Sequence, residues 1–240
     1  MKITKFEVLA FCTVLMMSFE LEAKTVQNFG IWNEISIYGS FNFIAPELKN
    51  TRYYLSSRSS FMNDVTTFSE NRVLIGVGYA VSKSWTILAG WGEEYETSPY
   101  ADPDRTGYRL WQQAYWKEKY THFTLGSRTR LEERFQNGID AAHWRVRQLV
   151  EIIVPIPAIS PQLGFVLSDE IFWYLNSVNN SDQYGLNGSN QNRLVCGLQY
   201  QFDEYIGVTL GYMNQYILED NSEPNFMGNI IYTAFTFNFL

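Results

Sequence analysis

Ser127-Arg-Thr-Arg-Leu-Glu-Glu-Arg134 and, after a short break, His143-Trp-Arg-Val-Arg-Gln-Leu-Val-Glu151 carry an ionisable residue at nearly every second position. A period of two places alternate side chains on opposite faces of a β-strand. One face of the first segment holds Arg128, Arg130, Glu132 and Arg134. One face of the second holds His143, Arg145, Arg147 and Glu151. If the two segments pair as a hairpin about 135–141, the simplest register sets Glu132 opposite Arg145 and Arg130 opposite Arg147. Guanidinium groups suit such a face because their planar fork pairs with carboxylate through two hydrogen bonds. A face this charged needs an interior that supplies partners or water. Turned toward lipid, each arginine would cost about 2–4 kcal/mol near the midplane.

The same alternation runs outward in both directions. Segments near 33–43, 51–61, 71–82, 85–96, 106–117, 120–134, 142–153, 162–175, 191–202, 205–218 and 229–240 alternate apolar and polar residues, and turn-like breaks separate them. The apolar face is Val73, Ile75, Val77, Tyr79 and Val81 in one segment, and Ile231, Phe235, Phe237 and Phe239 in the last. Alternation alone does not say which face is inside, and a soluble β domain would turn the apolar face inward. Three features favour the reverse. The segments match the 9–11 tilted residues of a membrane strand and exceed the globular average of about 5–6. Aromatics (Trp85, Trp116, Trp144, Trp173, Tyr200, Tyr205) stand near segment ends, where interfacial girdles belong. The chain also closes on Phe235-Thr-Phe-Asn-Phe-Leu240, similar to the aromatic C-terminal strand of outer-membrane barrels but ending on leucine. The expected fold is all-β, a transmembrane antiparallel up-and-down barrel. Both ends on the periplasmic side require an even strand number. Eleven readable segments plus 25–31 make about twelve strands, with ten as the alternative.

The breaks alternate in length. Residues 81–84, 117–120 and 202–205 read as tight turns, and 155–161 is stiffened by three prolines. The breaks near 62–70, 97–105, 135–141, 176–190 and 219–228 are longer and polar, the asymmetry expected of short periplasmic turns and outer loops. Asn and Gly crowd 176–190, which should therefore be mobile. At the start, Lys2 and Lys5 precede an apolar run from Val8 to Met17 that is too short to span a bilayer as a helix. Residues 1–23 read as a signal peptide cleaved near Ala23, leaving 24–240 as the barrel domain. Cys196 is then the single cysteine of the mature chain, and its phase puts it on the apolar face.

The polar faces of the other segments add Arg58, Arg72, Glu94, Arg109, Glu170 and Arg193 to the charged set, with Arg52 and Glu34 in phase. The lumenal network is thus Arg58, Arg72, Glu94, Arg109, Arg128, Arg130, Glu132, Arg134, Arg145, Arg147, Glu151, Glu170 and Arg193. Ten arginines, counting Arg52, face five glutamates, counting Glu34, although the whole chain carries −7. The remaining acids fall in loops and turns, Asp102, Asp104, Asp182, Asp203, Glu204, Asp220 and Glu223 among them. Two readings stay open: an ion-pair network that fills and rigidifies the lumen, or a narrow passage that attracts a small anionic solute. Glu96 reads as a rim residue. Asp169 falls out of phase on the apolar face, which a bulge or a position near the rim would resolve.

Other chemistries have little support. His122 and His143 both phase inward, away from the surface constellation that a lipid-modifying hydrolase or acyltransferase would need. There is no phosphate-binding loop between a strand and a helix. No Cys/His spacing suggests a metal, and an acidic chain is a poor match for nucleic acid. No cofactor is expected. Arg128-x-Arg130-Leu131-Glu132-x-Arg134, then Trp144-Arg145-Val146-Arg147 and Glu170-x-Phe172, resembles an uncharacterised outer-membrane family, the domain of unknown function numbered 2490. The resemblance covers nearly the whole mature chain. It implies a barrel in the cell outer membrane and brings no activity with it. The expected partners are outer-membrane lipid and, through the C-terminal strand, the barrel-assembly machinery. The loops are modest in length, which weakens a receptor role.

Overall fold

The computed structural model describes residues 25–138, 141–176, 188–218 and 224–240. The signal segment 1–23 and its cleavage site at Ala23 lie outside them, as do most of the 176–190 break and the loop acids Asp182, Asp220 and Glu223. Eleven strands make one closed barrel: β1 (Thr25–Ser40), β2 (Thr51–Met62), β3 (Thr67–Ala80), β4 (Trp85–Glu96), β5 (Arg105–Lys119), β6 (Thr124–Gln136), β7 (His143–Pro155), β8 (Leu163–Tyr174), β9 (Gly188–Gln201), β10 (Ile206–Ile217) and β11 (Asn225–Phe239). Each strand pairs antiparallel with the next, and β1 closes on β11 in parallel, from Thr25 opposite Asn225 to Gly39 opposite Phe239. Two short 3-10 turns, Phe41–Phe43 and Pro46–Asn50, join β1 to β2.

The strand number is therefore eleven among the described residues, not twelve or ten, and the closure is not antiparallel. The expected pair of strands at 25–31 and 33–43 is one continuous strand. Nothing between Phe29 and Asn33 can reverse the chain. Gly30, the one residue there that suggests a break, serves a close approach instead. A Cβ at Gly30 would lie 2.4 Å from the Phe61 carbonyl oxygen and 2.3 Å from Met62 Sδ. An odd number of strands joined by simple reversals leaves the first and last pointing the same way, so they meet in parallel.

Connections at one end of the barrel are 63–66, 97–104, 137–142, 175–187 and 218–224; this is the loop end. At the turn end, 81–84 and 202–205 are tight. Asp203 Oδ1 closes the second turn by accepting from the backbone N–H groups of Tyr205 and Ile206, both at 2.8 Å. The β5–β6 turn lies at 120–123 rather than 117–120. Tyr120 N–H donates to the Phe123 carbonyl at 2.8 Å, and the two rings stack at 4.8 Å. That displacement leaves His122 exposed in the turn, not facing inward.

Even-numbered residues of β1, β2, β3, β4, β6, β8 and β11 point inward, as do odd-numbered residues of the other strands, except where a register shift intervenes, as at Phe68, which faces outward. The outer surface is apolar over much of its area: Ile35, Leu55, Val73, Ile75, Val77, Ile87, Leu110, Leu198, Leu210, Ile231 and Phe235 are all exposed on it. Aromatic contacts band both ends. Phe61–Phe68 and Tyr108–Phe135 lie toward the loop end. Tyr200–Phe202 and Tyr205–Phe239 lie toward the turn end. Cys196 is exposed on the outer surface.

Asp169 also sits on the outer face, opposite Val150 and Leu194. Neither a bulge nor a rim position accounts for it. The register shift in β8 falls beyond it, between Phe172 and Trp173. Its carboxylate is satisfied sideways, accepting from Asn192 Nδ2 at 2.5 Å. Nearby, Gln148 accepts from Thr129 Oγ1 at 2.6 Å and donates to Ser127 Oγ at 2.9 Å. Asp169, Gln148 and Thr129 on this face are thus paired within the sheet.

Candidate functional site: a charged lumen between two apolar layers

The barrel interior is layered. Toward the loop end, Trp32, Met62, Val195, Met213, Phe226 and Ile230 pack with Tyr100, which the 97–104 connection folds inward. Toward the turn end, Tyr54, Leu74, Leu88 and Trp111 form a second apolar cluster with Tyr38 against it. Gly76 and Gly90 make room for the Trp111 ring, since a Cβ on either would lie 2.5 Å from it. Between the clusters lies the charged layer.

Glu132 is the hub of that layer and is fully buried. It stands opposite Arg145, with Arg130 opposite Arg147. Its carboxylate accepts from Arg109 Nη1 at 3.0 Å, Arg147 Nη1 at 2.9 Å, and Arg145 Nε and Nη2 at 2.9 and 2.5 Å. Glu170 accepts from Arg147 Nε and Nη2 at 3.0 and 2.8 Å and from Arg128 Nη2 at 2.5 Å. Glu94 pairs with Arg109 and accepts from Arg134 Nε at 3.1 Å. The Arg134–Glu94 and Arg128–Glu170 bonds skip a strand, so the network braces the barrel across its curvature as well as along neighbours.

Aromatic faces carry part of the charge. Phe172, fully buried, has the guanidinium carbons of Arg145, Arg147 and Arg193 at 5.1, 4.6 and 4.6 Å from its ring centre. Trp32 lies beneath Arg58 and Arg193 at 4.0 and 4.6 Å. Arg130 stacks on Trp111 at 4.9 Å and donates twice to Gln113 Oε1 at 2.9 and 2.6 Å. Quadrupole attraction of this kind contributes about 0.5–2 kcal/mol per contact, more where water is excluded.

The network is larger than the alternation suggested. Glu70 pairs with Arg58 inside the barrel. Glu96 is buried rather than at the rim: it accepts from Arg105 Nη2 at 2.7 Å and lies 3.4 Å from Arg134 Nη2. Both acids are in phase with residues already assigned inward, Arg72 and Glu94. They were missed because the strands extend further toward the loops than their apolar faces indicate. Glu151 faces inward nearer the turn end, and among the described residues no arginine lies within ion-pair distance of it. Arg72 and Arg193 are brought into the layer without a carboxylate partner among the described residues. His143 is buried at the loop end of β7, far from His122.

A cavity of about 50 Å³ lies under the inturned loop. Arg58, Arg72, Arg109, Arg145 and Arg193 line it with Glu70, Glu94, Glu96 and Tyr100. Carboxylate oxygens of the three glutamates come within 4.8 Å of one another. Each already pairs with arginine, so a metal ion there would have to displace guanidinium groups. The Tyr100 hydroxyl donates to Gln215 Oε1 at 3.0 Å. Its ionisation is pushed up above the usual phenol range by burial, so it remains a donor. Gln191, with its amide oxygen turned inward, accepts from Gln215 Nε2 at 2.6 Å and from Arg193 Nη2 at 3.0 Å. A polar chain thus ties the loop to the charged layer.

A family model described as a protein of unknown function (DUF2490) matches residues 29–225, the span of this barrel from β1 to the start of β11. An uncharacterised protein of Methylorubrum extorquens is 23% identical over 194 residues, covering 80% of each chain.

Proposed function

Since the chain belongs to the DUF2490 family of unknown function, we propose from that premise and from the layering of its interior that it is an outer-membrane barrel whose lumen is closed by ion pairs, a structural barrel and not an open pore. The observation that carries this reading is the inversion of polarity. Exposed aliphatic side chains cover the outside between two aromatic bands, while buried arginines and glutamates fill the inside. Water-soluble barrels have the opposite arrangement, and a closed ladder is one of the two ways a chain can cross a bilayer with every backbone group paired. Phe235, Phe237 and Phe239 point outward on β11 and supply the aromatic strand that the barrel-assembly machinery would read. Residues 1–23 act in this reading as the export signal. Two apolar clusters and an inturned Tyr100 flank the charged layer, which favours a sealed lumen. One histidine is buried and the other exposed at the opposite end, which counts against a surface hydrolase built on the pair.

The test is fractionation followed by planar-bilayer recording. The protein should sediment with outer membranes, run at two mobilities before and after boiling, and give no steady current. A periplasmic soluble monomer would overturn the membrane placement, and a large stable conductance would overturn the sealed lumen. One observation favours a second reading, a narrow anion-favouring passage: arginines outnumber glutamates inside. A small current whose reversal potential in a potassium chloride gradient follows chloride would select it.

A further inference from the structure

We propose that the cavity beneath Tyr100 binds one small inorganic anion, of the size of chloride, between Arg72 and Arg193. Arg72 is only 4% exposed and lines the cavity, yet it makes no hydrogen bond or ion pair with any described residue. Its Nε, like those of Arg58 and Arg109 beside it, is buried without a partner. Arginine does not shed its proton in a protein, and a charge left dry and unpaired is strongly destabilising. Among the described residues, the side chain of Arg193, also lining the cavity, is met by the amide oxygen of Gln191 and by the faces of Trp32 and Phe172. None of these carries a full negative charge.

The carboxylates around the cavity cannot supply it. Glu70 is taken by Arg58, Glu94 by Arg109 and Arg134, and Glu96 by Arg105 and Arg134. Those pairings leave Arg72 and Arg193 with no carboxylate at ion-pair distance among the described residues: Arg72 meets the charges of Glu70 and Glu34, and Arg193 those of Glu70 and Glu170, only from further away, and both side chains line a space of about 50 Å³. That space suits a halide and is too small for a sugar phosphate or a dicarboxylic acid. The site lies inside the closed barrel, so the inference does not rest on the membrane placement.

The test uses the folded full barrel in detergent micelles. Its unfolding midpoint in urea is followed while chloride replaces gluconate at constant ionic strength, gluconate being too large to enter. The wild-type midpoint should rise with chloride and reach a plateau, the mark of a ligand that binds the native state. Arg72→Gln and Arg193→Gln should abolish the rise. Arg72→Gln should also be more stable than wild type in gluconate, because it removes a buried charge that has no ion pair among the described residues. Arg52→Gln, at the turn end, should keep the full chloride response. Crystals of the wild-type protein soaked in bromide should show anomalous density between Arg72 and Arg193, a readout that holds even if a variant fails to fold. Equal wild-type midpoints in the two salts, a chloride response that survives Arg72→Gln, or no bromide at that position would overturn the proposal.

Discussion

Replacing Glu132 by glutamine removes the charge at the centre of the network and nearly preserves its shape. The consequences can be followed arginine by arginine. Arg109 keeps Glu94, and Arg147 keeps Glu170. Arg145 loses the one carboxylate it has and is left with the Tyr174 hydroxyl at 2.9 Å and the faces of Phe172 and Tyr174. Arg130 also loses its carboxylate, Glu132 Oε1 at 3.9 Å, but keeps its two bonds to Gln113, so the main cost is the orphaned, buried guanidinium of Arg145. Removing one member of a buried pair typically costs about 3–5 kcal/mol, and the amide oxygen, still able to accept one bond, puts the expected loss near about 3 kcal/mol. Glu151→Gln is the control: an inward glutamate with no ion pair among the described residues, expected to change stability by under about 1 kcal/mol. Adding Arg145→Gln to Glu132→Gln removes the orphan, so the double variant should recover about 1–3 kcal/mol relative to additivity. The assay is urea unfolding of the refolded barrel followed by tryptophan fluorescence. Equal midpoints for Glu132→Gln and Glu151→Gln, or strict additivity in the double variant, would show that Glu132 does not hold the layer together.

Three other substitutions test the layers around it. Phe172→Leu keeps most of the volume but loses the ring shared by three guanidinium groups, and should cost about 1–3 kcal/mol; an unchanged urea midpoint would refute the stacking role. Gly90→Val forces a side chain onto Trp111 and the Ile75 carbonyl, so the Trp111 ring must leave its site. The expected result is a marked drop in folding yield, and a normal yield with unshifted fluorescence would contradict the packing. Tyr100→Ala removes the ring from the loop-end cluster and the bond to Gln215. The 97–104 loop should then become cleavable by proteinase K while the wild-type loop resists, and equal resistance would mean that the tyrosine does not anchor it.

Much of the fold was legible because an alternating strand declares both its existence and its two faces. The Glu132–Arg145 and Arg130–Arg147 pairings followed from alternation plus a short hairpin loop. The errors came where local pattern has no authority. Thr25–Ser40 reads as two strands only if an even number is imposed, and the close approach of Gly30 to Phe61 depends on a neighbour thirty residues away in the chain. Glu70 and Glu96 were in phase with known inward residues, but the apolar face that marks a strand fades before the charged face does. Tyr100 sits in a polar loop, and its partner Gln215 is 115 residues distant. Nothing local distinguishes it from a solvated loop tyrosine. That Arg72 has no ion pair among the described residues while Arg109 has two is likewise a property of cross-barrel distances.

The charged layer also explains how this sheet avoids pairing one residue out of step. In a strand with two similar faces a slip of one residue costs little, but here it turns every side chain over. Were β6 to slip against β7, Arg128, Arg130, Glu132 and Arg134 would exchange places with outward residues such as Leu125, Leu131 and Phe135. In a bilayer each arginine moved to the lipid face would cost about 2–4 kcal/mol near the midplane, and the three together, about 6–12 kcal/mol, are comparable with the whole stability of a typical protein, about 5–15 kcal/mol. A wholly apolar lumen would pack well but would impose no such penalty. Buried ion pairs add little net stability over well-packed hydrophobes. What they add here is a large difference between the right register and the next one. Arginine serves this better than lysine because its fork fixes direction as well as charge, and Glu132, met by Arg109, Arg145 and Arg147 from β5 and β7, ties three consecutive strands to one register at a single point.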